Sequence, residues 1–221
     1  MLVLASNSPR RRQLISLGGW EYTLIPTKID ESTIPGECAE DYVRRLAEMK
    51  AHAACRMISP EHLPGSLVIG ADTAVVSEGD VLGKPADAED ARRMLHHLRG
   101  RLHQVFTAVA VLNPEVDELT GAMCVTDVPM RDYSDEEVQE YIASGDPFDK
   151  AGAYAIQHPV FRPVRDLHGC YANVMGMPLC HLTRLLARYA IRPRVEIAQA
   201  CQATIGYSCP VFQRILSGEM E

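Results

Sequence analysis

Lysine is scarce in this sequence: Lys28, Lys50, Lys84 and Lys150 are the only four, within a total of 22 Lys plus Arg. A chain that meets generic needs with arginine keeps lysine where a compact, strongly hydrated point charge is required, which a planar guanidinium does not imitate. Positive charge is also in overall deficit. The formal net charge is −7, which argues against a general nucleic-acid surface and favours small anionic ligands held by local basic clusters. Seven cysteines, an odd number with no C-x-x-C pair, exclude a disulfide framework and a standard zinc site; buried thiols are the ordinary outcome. No apolar run is long enough to span a bilayer, and the first arginines follow the short apolar start where a signal peptide would place them before a longer one. These features predict a cytoplasmic protein without a membrane partner. Standard nucleotide and hydrolase signatures are missing too: there is no G-x-x-x-x-G-K-[ST], no G-x-G-x-x-G after a strand, no H-E-x-x-H and no G-x-S-x-G.

What is present begins with "MLVLASNSPRRRQL". Leu2 to Ala5 reads as a buried strand. Ser8 and Pro9 are a helix start, with a hydroxyl cap followed by a proline whose φ suits the first position. Arg10, Arg11 and Arg12 then crowd the positive end of the helix dipole, each disfavoured by about 0.3–1 kcal/mol. A solvated basic turn is the plain reading. Free N–H groups, hydroxyls and guanidinium forks together favour an anion site for phosphate.

Further along, "YTLIPTKID" predicts a strand running into an acidic loop with Glu31, and "CAEDYVRRLAEMKAHAACRMI" a helix. The inward stripe of that helix is Val43, Leu46/Ala47, Lys50 and Ala54, so Lys50 falls on the apolar face; a lysine there either snorkels to water or has a partner. "SLVIGADTAVV" is a buried strand with Asp72 in its middle. That carboxylate needs a cation, a metal or hydrogen bonds, either as a structural ion pair or as a catalytic or metal-binding group. Gly70, two residues earlier, allows a close approach of backbone or ligand.

A turn at "SEGD" and the return "VLGKP" follow, then helices from Asp87 and Ser134, strands at "LHQVFTAVAVL" and "AMCVTDVPMR", a Gly/Ala-rich segment with Asp149, Lys150 and Gln157, and a helix from about Pro178 to Tyr189. The alternation predicts an α/β fold with a mixed sheet. Residues 1–190 form the predicted domain. Residues 191–221, with two cysteines and "GYSCPVF", read as an extension packing on the core or on a partner.

The motifs "SNSPRR", "VRRLAEMKA", "IGADTAVV", "LGKP", "HQVFTAVAV" and "DKAGAYAIQ", in that order, resemble the Maf family of nucleoside-triphosphate pyrophosphatases over roughly Leu2 to Tyr189. The resemblance implies an inosine-triphosphate-pyrophosphatase-like fold, with an elongated mixed β-sheet flanked by helices, two lobes and a central cleft, often as a homodimer. It implies cleavage of a nucleoside triphosphate between the α- and β-phosphates, assisted by a divalent metal cation, Mg²⁺ or Mn²⁺. Asp72 matches the family's proton acceptor. Ser8, Arg11, Lys50 and Lys84 are the candidates for gripping phosphate, and Asp72 with Glu31 for orienting water and holding the metal.

Three positions track base preference in the family. Arg10, Thr73 and Gln157 match the branch that acts on dTTP and UTP, whereas Trp, Gln and Glu mark the 7-methyl-GTP branch. The chain departs from many relatives at His158-Pro159, where glycine is common, and in its tail. The alternative readings are a 7-methyl-GTP or broad-specificity pyrophosphatase, and a non-catalytic nucleotide-binding regulator of septum formation.

Overall fold

The computed structural model describes residues 1–219. Its sheet has six strands: β1 (Leu2–Leu4), β2 (Tyr22–Leu24), β3 (Leu67–Ser77), β4 (Asp80–Leu82), β5 (Leu102–Asn113) and β6 (Glu118–Pro129). The order is β2-β1-β3-β5-β6, with β4 paired to β3. The pairs of β1 with β2 and β3 are parallel and the rest antiparallel, so the sheet is mixed. The second strand is shorter than its sequence suggests. Ile25 N–H still donates to Leu4 O at 3.1 Å, but Pro26 has no N–H to continue the ladder.

Eight α-helices flank the sheet among the described residues: α1 (Pro9–Ser16), α2 (Ala39–Cys55), α3 (Ala88–Leu98), α4 (Asp135–Ala143), α5 (Tyr171–Val174), α6 (Leu179–Ala187), α7 (Ile197–Ile205) and α8 (Phe212–Ser217). Ser8 caps α1, Asp87 caps α3, and Ser134 with Glu137 forms the capping box of α4.

Alternation along β3 sorts the core into two faces. Leu67, Ile69, Ala71 and Val75 join the larger core with residues of α1, α3, α4 and α6. Val68 and Ala74 face α2, packing with Ala51 and Ala54 or with Val43 and Ala47. Asp72 shares the α2 side by parity, and Thr73 shares the other.

Gly70 is where α2 comes closest. A Cβ built there would lie 2.0 Å from Ala47 O and 2.8 Å from Ala51 N, so the close approach that the glycine permits is that of helix backbone. Gly70→Ala must push α2 off the sheet, and we expect a loss of about 3 kcal/mol, read as a lower urea midpoint. A wild-type midpoint would contradict this packing.

The sequence extension folds against the body. Ile197 and Ile215 are buried, and Cys201, Ile205 and Val211 pack on the main core.

Two buried histidines make stability pH-dependent. Burial lowers His103 and His181 from 6.5 to about 4. The unfolded chain takes up protons at these rings as pH falls below about 6.5, while the folded chain refuses them until near 4. Their contribution is therefore fully present above 6.5 and declines as pH drops toward 4, by on the order of 3 kcal/mol per ring. Urea midpoints should fall between about pH 7 and about pH 4.5; a flat profile would contradict neutral burial.

Candidate active site

The sheet leaves an opening along β3. β1 pairs with Leu67–Ile69 and β4 with Val75–Ser77, so residues 70–74 have no strand neighbour on that edge. A cleft of about 780 Å³ lies there, lined by Asp72, Thr73 and Ala74 together with the start of α1. A ligand crevice at a break in strand order is a common arrangement in α/β sheets.

Lys50 and Asp72 meet across the α2–β3 interface. Lys50 Nζ donates to Asp72 Oδ1 at 2.5 Å and lies 2.7 Å from Glu31 Oε1. Both Lys50 and Asp72 are buried, at 8% and 6% exposure. The helical stripe that placed Lys50 inward and the strand that buried Asp72 thus have one explanation: each is the other's counter-ion. Asp72 Oδ2 has no hydrogen bond among the described residues, and Asp72 lines the cleft.

Glu31 reaches the site from the loop before α2. Burial raises its carboxyl pKa, but the hydrogen bond and charge of Lys50, with Lys84 and Arg11, outweigh this and leave it below the usual glutamate value. Tyr42, which sequence reasoning missed, donates from its hydroxyl to Glu31 O at 2.9 Å. Burial, with the charges of Asp72 and Glu31, pushes this phenol up to about 12. Its position four residues before Leu46, on the same helix as Lys50, was the only available signal.

The three arginines part company. Arg12 is exposed, as a solvated extra. Arg11 turns inward: Nε donates to Gly176 O at 2.9 Å and Nη2 to Thr73 Oγ1 at 3.0 Å. Burial lowers its pKa and Asp72 opposes that, while a guanidinium stays charged throughout the working range. Its remaining N–H groups have no protein acceptor among the described residues. Arg10 Nη1 lies 3.4 Å from Asp149 Oδ2, and Lys150 Nζ lies 2.6 Å from Asp149 Oδ1. Burial raises the Asp149 carboxyl, and these two cations more than offset it.

Ser8 accepts from Arg11 N–H at 3.4 Å and lines the cleft. Thr73 is turned to Arg11 and to Thr107 Oγ1, at 2.9 Å. Lys84 and Gln157 are exposed on the cleft wall. His158 is taken up by its own turn, where Nδ1 accepts from Phe161 N–H at 2.9 Å and the ring packs edge-on to Tyr141.

All nine residues singled out in the sequence therefore line one cleft. So does Lys28, which the sequence reading counted but did not assign, and all four lysines of the chain are found there. Lysine and arginine outnumber carboxylates on the lining six to three, a local excess of positive charge on an acidic protein.

Comparison with known proteins bears on what this basin serves. The family model described as "Maf-like protein" matches residues 1–189. The chain is a member of the Maf family. It is 43% identical over 84% of its length to the dTTP/UTP pyrophosphatase of Geobacter sp. (strain M21), covering 93% of that protein. It is 45% identical over 85% of its length to the dTTP/UTP pyrophosphatase of Chromobacterium violaceum, covering 94% of it. Among solved structures, the Staphylococcus aureus Ham1 protein is similar at 17% identity with a TM-score of 0.40, over 59% of this chain and 72% of that one. The Maf match ends just before the segment that carries α7 and α8.

The donor set in this Maf cleft fits a magnesium-type cation. Asp72 and Glu31 both reach Lys50 Nζ, at 2.5 and 2.7 Å, so the two carboxylates are neighbours across an ammonium, and magnesium-type ions take one or two carboxylates and complete their shell with water and substrate phosphates. No group of three or more His, Cys, Asp or Glu suited to a metal occurs among the described residues, so a closed all-protein cage is not what these side chains would build.

Proposed function

We propose that this Maf protein hydrolyses dTTP and UTP between the α- and β-phosphates, giving the monophosphate and pyrophosphate. The observation that carries the reading is Asp72, buried against Lys50 in the lining of a cationic cleft, in a chain 43–45% identical to dTTP/UTP pyrophosphatases.

The roles follow from the geometry. Asp72 Oδ1 is held by Lys50, so the carboxylate is fixed in rotation and Oδ2 is left to accept the proton of an attacking water. Lys50, Lys84 and Arg11 offset triphosphate charge in a site that needs little rearrangement to do so. Asp72 and Glu31 would hold Mg²⁺ or Mn²⁺, which supplies charge neutralisation at the phosphates. Arg10 and Gln157 offer donors and an acceptor to the carbonyl–NH–carbonyl edge of uracil or thymine. Thr73 acts on the substrate through Arg11, the group its hydroxyl touches.

Pyrophosphate release with Mg²⁺ or Mn²⁺ across dTTP, UTP, CTP, GTP and 7-methyl-GTP tests this. We expect turnover concentrated on dTTP and UTP. Preference for 7-methyl-GTP would overturn the base assignment, and no turnover on any nucleotide would overturn the enzymatic reading.

A further inference from the structure

The segment after residue 189 contains one side chain with unusual reach. Tyr207 comes from the "GYSC" turn that joins α7 to α8. Its hydroxyl lies 2.9 Å from Leu167 O and 3.0 Å from Gly169 O, and accepts from Gly169 N–H at 3.3 Å. Among the described residues no backbone group pairs with these three; the one O–H proton of the phenol is shared between the two carbonyls, and Cys209 Sγ also lies 4.0 Å from Gly169 O. These groups are partly buried, so the phenol replaces partners that only water would otherwise supply.

That turn is tightly constrained. Asp166 has a φ of 50°, and a Cβ on Gly169 would lie 2.6 Å from Thr126 Cγ2. The Tyr207 ring also packs against Tyr171, the first residue of α5, with centroids 5.5 Å apart. The Tyr207 backbone is fixed in turn: its N–H donates to Gln202 O at 3.3 Å, and Cys209 N–H donates to Gln202 Oε1 at 2.9 Å.

α5 is a single turn, and its last residue with the two that follow forms a wall of the cleft. Val174, Met175 and Gly176 all line it. Gly176 O is the acceptor that holds Arg11 Nε, and a Cβ on Gly176 would sit 3.1 Å from Thr73 Oγ1 and 3.4 Å from Arg11 Nε. Arg11 is tied to this wall through the Gly176 carbonyl, so a shift of the wall carries the guanidinium with it.

We propose that Tyr207 is a positioning residue for the cleft: by holding the Leu167–Gly169 turn it braces the entry to α5, whose Asn173 is itself tied to Val105, Thr107 and Thr126, and through Gly176 O it sets the orientation of Arg11. The inference rests on the reading of the cleft as a triphosphate site. It gives the C-terminal extension a part in substrate binding although none of its residues lines the cleft.

The test is Tyr207→Phe, which keeps the ring and removes the hydroxyl, measured alone and in combination with Arg11→Lys. Kinetics use whichever triphosphate the wild-type protein turns over fastest. A wrong base assignment then shows in the wild type, and failure of this inference shows only in the variant. If the wild type turns over none, the dissociation constant for UTP from calorimetry replaces KM. We expect Tyr207→Phe to raise KM about three- to tenfold with kcat within about twofold, the pattern of lost ground-state binding. In the Arg11→Lys background the same change should raise KM less than about twofold, because the two substitutions act on one interaction. An unchanged KM, with or without a lower Tm, would make Tyr207 purely structural and overturn the proposal. So would an equal fold-change in both backgrounds.

Discussion

Asp72→Asn should lower turnover of UTP by about 10²- to 10⁴-fold, the range over which a positioned general base acts, while UTP still binds. The substitution keeps the shape of the side chain and its place in β3 between Ala71 and Thr73, so the ladder to β5 is untouched. Lys50 keeps Glu31 as a counter-ion at 2.7 Å, and the cationic lining of the cleft is unaltered. What disappears is the carboxylate oxygen proposed as the base. Removing one negative charge from the cleft also reduces repulsion of the triphosphate, so affinity should stay the same or rise. Pyrophosphate release and calorimetric titration with UTP separate the two effects. Turnover at the wild-type rate would remove Asp72 from the chemistry; lost binding together with lost turnover would mean that it serves the metal or the fold and not as the base.

Lys50→Met is expected to damage the fold as well as the activity. It leaves Asp72, whose side chain is 9% exposed, without the cation that lies 2.5 Å away. Removing one partner of a buried pair costs about 3–5 kcal/mol, because the other charge stays buried and uncompensated. Glu31 adds little to this figure, since its side chain is 44% exposed and water screens it. The double variant Lys50→Met, Asp72→Leu supplies the contrast. An apolar pair of similar volume in place of a buried ion pair is often neutral, so the double variant should regain most of the stability lost by the single one and remain inactive. Urea unfolding of both decides the point. If the double variant is no more stable than Lys50→Met, the loss comes from packing of the lysine stem and not from a stranded carboxylate.

The elements of this fold that sequence revealed are those governed by local periodicity. The stripe Val43, Leu46, Ala47, Lys50 and Ala54 is buried as its spacing predicts, and the caps at Ser8, Asp87 and Ser134 are where the hydroxyls and carboxylate stand in the chain. Asp72 and Lys50 were each anomalous alone, and their conflict with apolar surroundings was the signal that they belong together. Contacts between distant segments were beyond such reasoning. Arg10 and Asp149 are 139 positions apart, and nothing in either neighbourhood encodes that meeting. Tyr42 read as one more residue of an amphipathic helix because its function depends on where the Glu31 loop returns. Lys28 escaped for the same reason. The helices of the extension were missed because α7 and α8 are nine and six residues long and gain their order from packing on the core.

Every side-chain amine of this protein opens onto the same basin. Acylation of lysine side chains therefore has a single address, and apart from the exposed amine of Met1 the chemical footprint of acetylation, carbamylation or biotinylation would coincide with the cleft. A bound triphosphate would shield what elsewhere is scattered over a surface. Immobilisation through lysine would blind the protein, whereas attachment through the exposed thiol of Cys38 would spare every lysine it has.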